Sequence, residues 1–231
     1  EQSSRKQAPW SERLEARLVA GDARGAWGVV EAAMAAGRDL DSLYLEVLSP
    51  AMVSIGDRWA KGELDVAVEH RASGIAMRVI GRLGHRFVRR GRPRGSVVIG
   101  TPPGESHAIP TAIVSDLLRM RGWEVWDLGA DVPIESYLFA LTDEPGVKAV
   151  GLSVTHPANL DALQQTCDAI RSTVPDMKIV LGGGAVCGSD HAESLGADAH
   201  AATGADMHDL LDEWYPLSRP AVRDAGLAAG D

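Results

Sequence analysis

Two stretches of this chain carry side chains whose types and spacing could do chemistry. The first is Glu105-Ser106-His107-Ala108-Ile109-Pro110. An imidazole that ligates a metal presents one unprotonated ring nitrogen, and a carboxylate on the other nitrogen fixes the tautomer and raises its basicity. A glutamate two residues before a histidine at a loop tip fits that requirement. A surface histidine beside an unrelated glutamate is the plainer alternative. The second stretch runs from Trp59 through Gly62 and Val66 to Glu69-His70. Trp59 offers a broad apolar plane for a flat ligand, and Val66, His70, Ser73 and Met77 recur at helical spacing. That spacing predicts an inward face, where an unpaired imidazole would be costly. An ordinary core tryptophan, a satisfied core histidine and a solvated glutamate are the bland alternatives.

The elements that must position these residues differ between the two halves. Residues 10–91 read as a bundle of four or five short amphipathic helices. Asp22 caps a helix to about Met34 that Gly37 stops, and Asp41 caps a short one to Leu48. Ser49-Pro50 has the form of an N-cap with proline at the first helical position. Gly62 closes that segment, and Asp65 caps the helix that carries His70. After the linker Arg92-Pro93-Arg94-Gly95, residues 95–215 alternate short apolar runs with helical stretches. The runs are 96–100, 124–128, 149–154, 178–181 and a weak one near 198–202. Such alternation predicts a parallel sheet with helices on both faces, a Rossmann-like or flavodoxin-like α/β domain. Ligands of such sheets bind beyond the strand C-termini, which here carry Thr101 to His107, Thr155 to Asn159, Gly182 to Val186, and Thr203-Gly204. Residues 216–231 read as a flexible tail.

Composition narrows the class. The chain has 231 residues, 45% of them hydrophobic and 24% charged, which fits a globular protein rather than a disordered one. A net charge of −9 argues against a general phosphate-binding surface. The basic clusters at Arg5-Lys6 and Arg86 to Arg94 read as local, solvated segments. Cys167 and Cys187 match no metal or redox spacing, so a reducing, cytoplasmic setting is expected. No apolar run approaches the ~20 residues of a membrane span. No GxGxxG follows the first strand, which argues against a nicotinamide site.

On these motifs the α/β half resembles the cobalamin-binding domain family. That family has Asp-x-His-x-x-Gly after the first strand, Ser-x-Thr after the third and Gly-Gly after the fourth. This chain has Glu105-Ser106-His107-Ala108-Ile109-Pro110, Ser153-Val154-Thr155 and Gly182-Gly183-Gly184 in that order. The resemblance implies a corrinoid with His107 as lower cobalt ligand, and a nucleotide tail in a slot lined by the later loops. Glycines suit that slot because no Cβ blocks approach of the tail. Glu105 departs from aspartate, and Pro110 from glycine, which leaves the path of the first helical turn open.

The segment from Trp59 to His70 resembles the Trp-x-x-Gly-x-x-x-Val-x-x-Glu-His signature of B12-dependent photoreceptors of the CarH type. That resemblance spans about residues 10 to 215 and implies adenosylcobalamin capped by the bundle. Trp59 would cover the adenosyl group, Glu69 would help hold it, and His70 would become the upper cobalt ligand after light breaks the cobalt–carbon bond. It further implies a homo-oligomer, or an output to a partner protein or fused effector. No DNA-reading module is recognisable in Glu1 to Pro9, so direct DNA binding is not expected. Some stand-alone relatives of this type also hold a bilin, for which no residue here can be assigned. The photoreceptor resemblance implies no enzyme. The alternative is an enzyme component, a corrinoid methyl carrier of a methyltransferase system, which also pairs a bundle with a cobalamin domain and leaves the question of enzyme activity open. A cobalamin-binding regulator that does not use light is a third reading.

Overall fold

The structure, a computed structural model, describes residues 8–144 and 146–216. The tail expected over 216–231 therefore lies almost wholly outside the described residues, as does the Arg5-Lys6 cluster. The first half is helical: α1 (Trp10–Val19), α2 (Ala23–Ala35), the single turn α3 (Leu40–Ser42), a π-helical segment (Leu43–Leu48), α4 (Ser49–Ala60) and α5 (Val66–Leu83). Caps stop and start these helices where the side chains allow. Asp22 accepts from Gly25 N, and Asp65 from Ala67 N. Gly37 and Gly62 end their segments with positive φ, which spares the strain a side chain would bring there.

Three expectations for this half are corrected. Sequence periodicity did not identify α1, although Leu14 and Leu18 are fully buried in the bundle core. Asp39, not Asp41, caps the short helix, accepting from Ser42 N. Ser49 is not an N-cap: its φ and ψ are helical, and the chain passes from the π-helical segment into α4 without a break. Pro50 is tolerated there because the wider π turn in front of it already disturbs the regular hydrogen-bond ladder.

A short 3-10 turn (Gly84–Arg86) leads through the linker to the α/β half. Its elements are β1 (Ser96–Gly100), α6 (Ala108–Met120), β2 (Glu124–Asp127), α7 (Ile134–Asp143), β3 (Val147–Ser153), α8 (Leu160–Thr173), β4 (Lys178–Gly182), α9 (Ser189–Ser194), β5 (Ala199–His200) and α10 (Gly204–Trp214). The strands form one parallel sheet in the order β2-β1-β3-β4-β5. All five β1 residues are buried, as a central strand covered on both faces requires. The chain runs outward from β1 to β2 on one side, and from β3 to β5 on the other. The switch in direction falls between β1 and β3, and it opens a crevice at their C-terminal ends.

The bundle does not pack as a separate body. One apolar cluster joins Leu14, Tyr44, Ile55, Ile75 and Leu83 to Ala112, Ile113 and Leu117 of α6. Among the described residues, no helix is long and apolar enough to cross a membrane.

Candidate cofactor site

The loop after β1 carries Glu105 and His107, and the fold delivers both to the β1/β3 crevice. Glu105 is completely buried although it is a carboxylate, so it must be satisfied by several donors. Its Oε1 accepts from the His107 backbone N at 3.2 Å and from the His107 ring Nδ1. Its Oε2 accepts from Thr155 N at 2.9 Å, His156 N at 3.0 Å and Asn159 Nδ2 at 3.1 Å, all in the segment after β3. Burial pushes the Glu105 carboxyl up, but the donors from His156, His107, Asn159 and Thr155 outweigh it and bring its pKa to about 2. The carboxylate is therefore ionised near neutrality. It holds the proton on Nδ1 of His107 and leaves Nε2 free as a donor atom. The His107 side chain is 43% exposed. This donor chemistry suits a metal that takes one imidazole and meets the rest of its ligands elsewhere.

The loop is held from its other side by Asp131, in the connection from β2 to α7. Asp131 is the one non-glycine residue with positive φ among the described residues. Its side chain accepts from Gly104 N at 2.7 Å, and its own N donates to Glu105 O at 2.8 Å and Thr101 Oγ1 at 2.9 Å. A residue kept in this conformation marks a place where loop shape is over-determined. Thr101 Oγ1 donates to Glu105 O, and Tyr137 OH donates to Thr101 O at 2.9 Å. Glu105 and its loop are thus fixed before any ligand arrives.

His107 is the N-cap residue of α6, so Ala108 and Ile109 open the helix and Pro110 lies within its first turn. A backbone N–H in that turn has no intrahelical acceptor, so proline, which lacks one, is tolerated there, and the helix runs unbroken to Met120. The path left open by the Pro110 substitution is an ordinary helix start. Ser106 is exposed, Ala108 is half-buried, and Ile109 packs against the bundle core.

Two of the three glycines are also required by the packing of the chain itself. A Cβ on Gly182 would come within 2.7 Å of Ala201 O, and one on Gly183, at φ +91°, within 2.2 Å of Val154 O. Both are glycine because strand-end backbones of this protein crowd them. Only Gly184 faces open space. Ser153 pairs with Gly182 at the C-terminal end of the β3–β4 ladder, and Thr155 serves through its backbone N. Thr203 and Gly204 also have structural roles. Thr203 caps α10 in a reciprocal pair with Asp206. A Cβ on Gly204 would meet Leu117 of α6 at 2.6 Å.

The bundle residues stand apart from this cluster. Among the described residues, no hydrogen bond or ion pair links them to Glu105 or His107. The buried face of α5 is Ala72, Ile75, Ala76, Val79, Ile80 and Leu83. Val66, His70 and Met77 share another face, which is exposed, so the inward orientation expected for His70 is corrected. Its side chain is 74% exposed and bonds through Nδ1 to Glu69 Oε2 at 2.5 Å. Ser73 Oγ donates to the other Glu69 oxygen at 2.6 Å. Trp59 is 41% exposed and lies outside the core cluster. Neither Trp59 nor His70 is an ordinary core residue.

Sequence reading placed Asn159 at a strand end without singling it out, and it missed His156 as a donor and Asp131 altogether. The order of the sheet makes these three neighbours of Glu105, and no local pattern carries that information.

Comparison with known proteins identifies the family. Two descriptions of a B12 binding domain match, one over residues 10–83 and one over residues 95–211. The trimethylamine corrinoid protein of Methanosarcina barkeri is 30% identical over 178 residues, covering 74% of this chain and 81% of that protein. Trimethylamine corrinoid protein 1 of Methanosarcina acetivorans is 28% identical over 183 residues, covering 78% and 84%. The structure of the Methanosarcina barkeri monomethylamine corrinoid protein shares the fold, with a TM-score of 0.77 at 21% identity over 89% of this chain and 98% of that one. These relatives are corrinoid proteins, not photoreceptors. The chain belongs to the B12 binding domain family.

Proposed function

We propose that this chain holds cobalamin between the bundle and the C-terminal end of the sheet, and presents the upper face of the cofactor to a partner methyltransferase. The observation that carries the cobalamin site is the Glu105–His107 pair, anchored across the β1/β3 switch point with Nε2 left free. The likeness of both halves to trimethylamine corrinoid proteins supports the carrier role. His107 would be the lower cobalt ligand, Glu105 would orient it, and the open space beside Gly184 would admit the tail. When bound, the cofactor supplies a cobalt that carries a transferable upper group. The chain's own work is to hold the cofactor and expose that face, so transfer chemistry belongs to the partner.

A second reading, a light sensor that uses adenosylcobalamin, is favoured by one observation. Trp59 and His70 lie on exposed surface, with the half-buried Glu69 bonded to His70, and core packing does not account for Trp59 or His70. In that reading Trp59 would cover the adenosyl group and His70 would ligate cobalt after illumination, with a change in oligomeric state as output. Absorption spectra of the adenosylcobalamin-loaded chain before and after green light test it directly. A stable bis-imidazole photoproduct would support the sensor. Unchanged oligomeric state in light, together with demethylation of the methylcobalamin-loaded chain by an added corrinoid methyltransferase, would support the carrier. Failure to retain any cobalamin would overturn both.

A further inference from the structure

Tyr44 is fully buried and reaches out of the bundle. It sits in the π-helical segment, whose wider turn departs from the side-chain spacing of an α-helix. Its ring stacks on Phe87, where the bundle ends, with centroids 4.5 Å apart and planes 12° from parallel. Its hydroxyl donates to Asp116 Oδ2 of α6 at 2.7 Å, across 72 residues of sequence. Asp116 Oδ1 accepts from Arg119 at 3.0 Å. Gly84 lies close by: a Cβ there would already touch both Asp116 oxygens, at 3.6 and 3.7 Å. Around this bond the contact is apolar, with Ala112, Ile113 and Leu117 of α6 inside the bundle core.

Apolar packing between helices is non-directional and tolerates sliding. One buried polar pair is not tolerant, because a slide would leave the Tyr44 hydroxyl and Asp116 Oδ2 without each other, while Oδ1 keeps Arg119 of the same helix. The same helix begins at His107, nine residues or about 13 Å from Asp116 at helical rise. We propose that the Tyr44–Asp116 bond is a pin that sets where the bundle sits on α6, and so keeps the bundle's exposed residues in register with His107. Tyr44 and Asp116 are positioning residues and touch no ligand. This inference rests on the cobalamin reading for its consequence, but the pin can be tested without cofactor.

Tyr44→Phe keeps the stack on Phe87 and removes only the hydroxyl. Asp116→Asn keeps an acceptor for that hydroxyl and serves as the milder variant should Tyr44→Phe fold poorly. The first measurement is the rate of tryptic cleavage in the arginine-rich linker, residues 89–94, of the cofactor-free chain. The second is the release rate of bound hydroxocobalamin into a scavenger. Tyr44→Phe should raise both by about five- to tenfold, the factor implied by loss of one net hydrogen bond. The His107-ligated absorption spectrum should stay the same. Asp116→Asn should have a smaller effect, and adding it to Tyr44→Phe should change little more, since the pair is coupled. Wild-type cleavage rates in Tyr44→Phe, or effects of the two variants that simply multiply, would overturn the pin. A wild-type chain that binds no hydroxocobalamin would overturn the cobalamin reading instead, while the cleavage result would still decide the pin.

Discussion

Glu105 and Asn159 lie 54 residues apart in sequence, yet the amide of Asn159 donates to the same carboxylate that holds His107, at 3.1 Å. The imidazole is thus oriented by a carboxylate that is itself held by another loop. His107→Ala should abolish tight cobalamin retention without unfolding the chain. Glu105→Ala should weaken retention by about 10–100-fold, as removal of the carboxylate behind a ligating histidine does. Asn159→Leu should weaken it less, since two backbone donors still hold Oε2. Equilibrium binding of hydroxocobalamin orders the three, and a larger loss in Asn159→Leu than in Glu105→Ala would contradict the arrangement.

Glu105 also predicts an acid limit. Its carboxyl is lowered from about 4.5 to about 2 in the folded chain. A lowered folded pKa means stability that is full above the unfolded value and is lost as pH falls through the window from about 4.5 to about 2. The size is on the order of 3 kcal/mol. Urea unfolding of the cofactor-free chain at pH 6 and pH 3 should show about 2 kcal/mol of it, since pH 3 lies inside that window. Glu105→Gln, which cannot ionise, should show a flatter pH dependence across that window.

The glycine triplet gives a contrast within three residues. Gly183→Ala places a Cβ against Val154 O at φ +91° and should cost at least about 2 kcal/mol of stability. Gly184→Ala meets nothing and should stay within about 0.5 kcal/mol of wild type. A bulkier change, Gly184→Leu, should leave thermal stability near wild type yet lower cobalamin affinity by filling the open space. Equal thermal shifts for Gly183→Ala and Gly184→Ala would refute the assignment.

His70 and Trp59 are predicted to matter for function and little for folding. Both lie outside the core, so His70→Ala should change unfolding free energy by less than about 0.5 kcal/mol. In the carrier reading, Trp59→Ala and His70→Ala alter the rate of methyl transfer to the partner. In the sensor reading, His70→Ala still loses the adenosyl group in light, and its photoproduct lacks a second imidazole band. Stopped-flow transfer and difference spectra separate these outcomes.

Much of this architecture was legible in the sequence because local chemistry specifies it. Asp22, Asp65 and Gly62 mark helix ends, and the apolar runs around Val98, Val150 and Val180 mark buried strands. His107 and Glu105 were legible for the same reason, as two residues in one loop. The face of α5 was misread because Val66, His70 and Met77 have the same helical spacing as Ile75, Val79 and Leu83. Spacing finds a face and does not say which one is buried. Asn159, Asp131 and the Tyr44–Asp116 bond were not legible, since strand order and helix docking bring them together. The resemblance to photoreceptors, though it spans both halves, took its subgroup from the signature between Trp59 and His70, whereas the relatives that match across both halves are trimethylamine corrinoid proteins.

The apolar side of α6 has a practical consequence for dissecting the chain. A fragment starting at Arg92 would carry the whole sheet and both loops that meet at Glu105. It would also turn Ala112, Ile113 and Leu117, which the bundle covers in the intact chain, out to water. Exposed together on one helix, they form an adhesive strip, so the fragment is expected to aggregate or pair through α6 when expressed alone. The complementary fragment, ending before the linker, would lose the helix that closes its core.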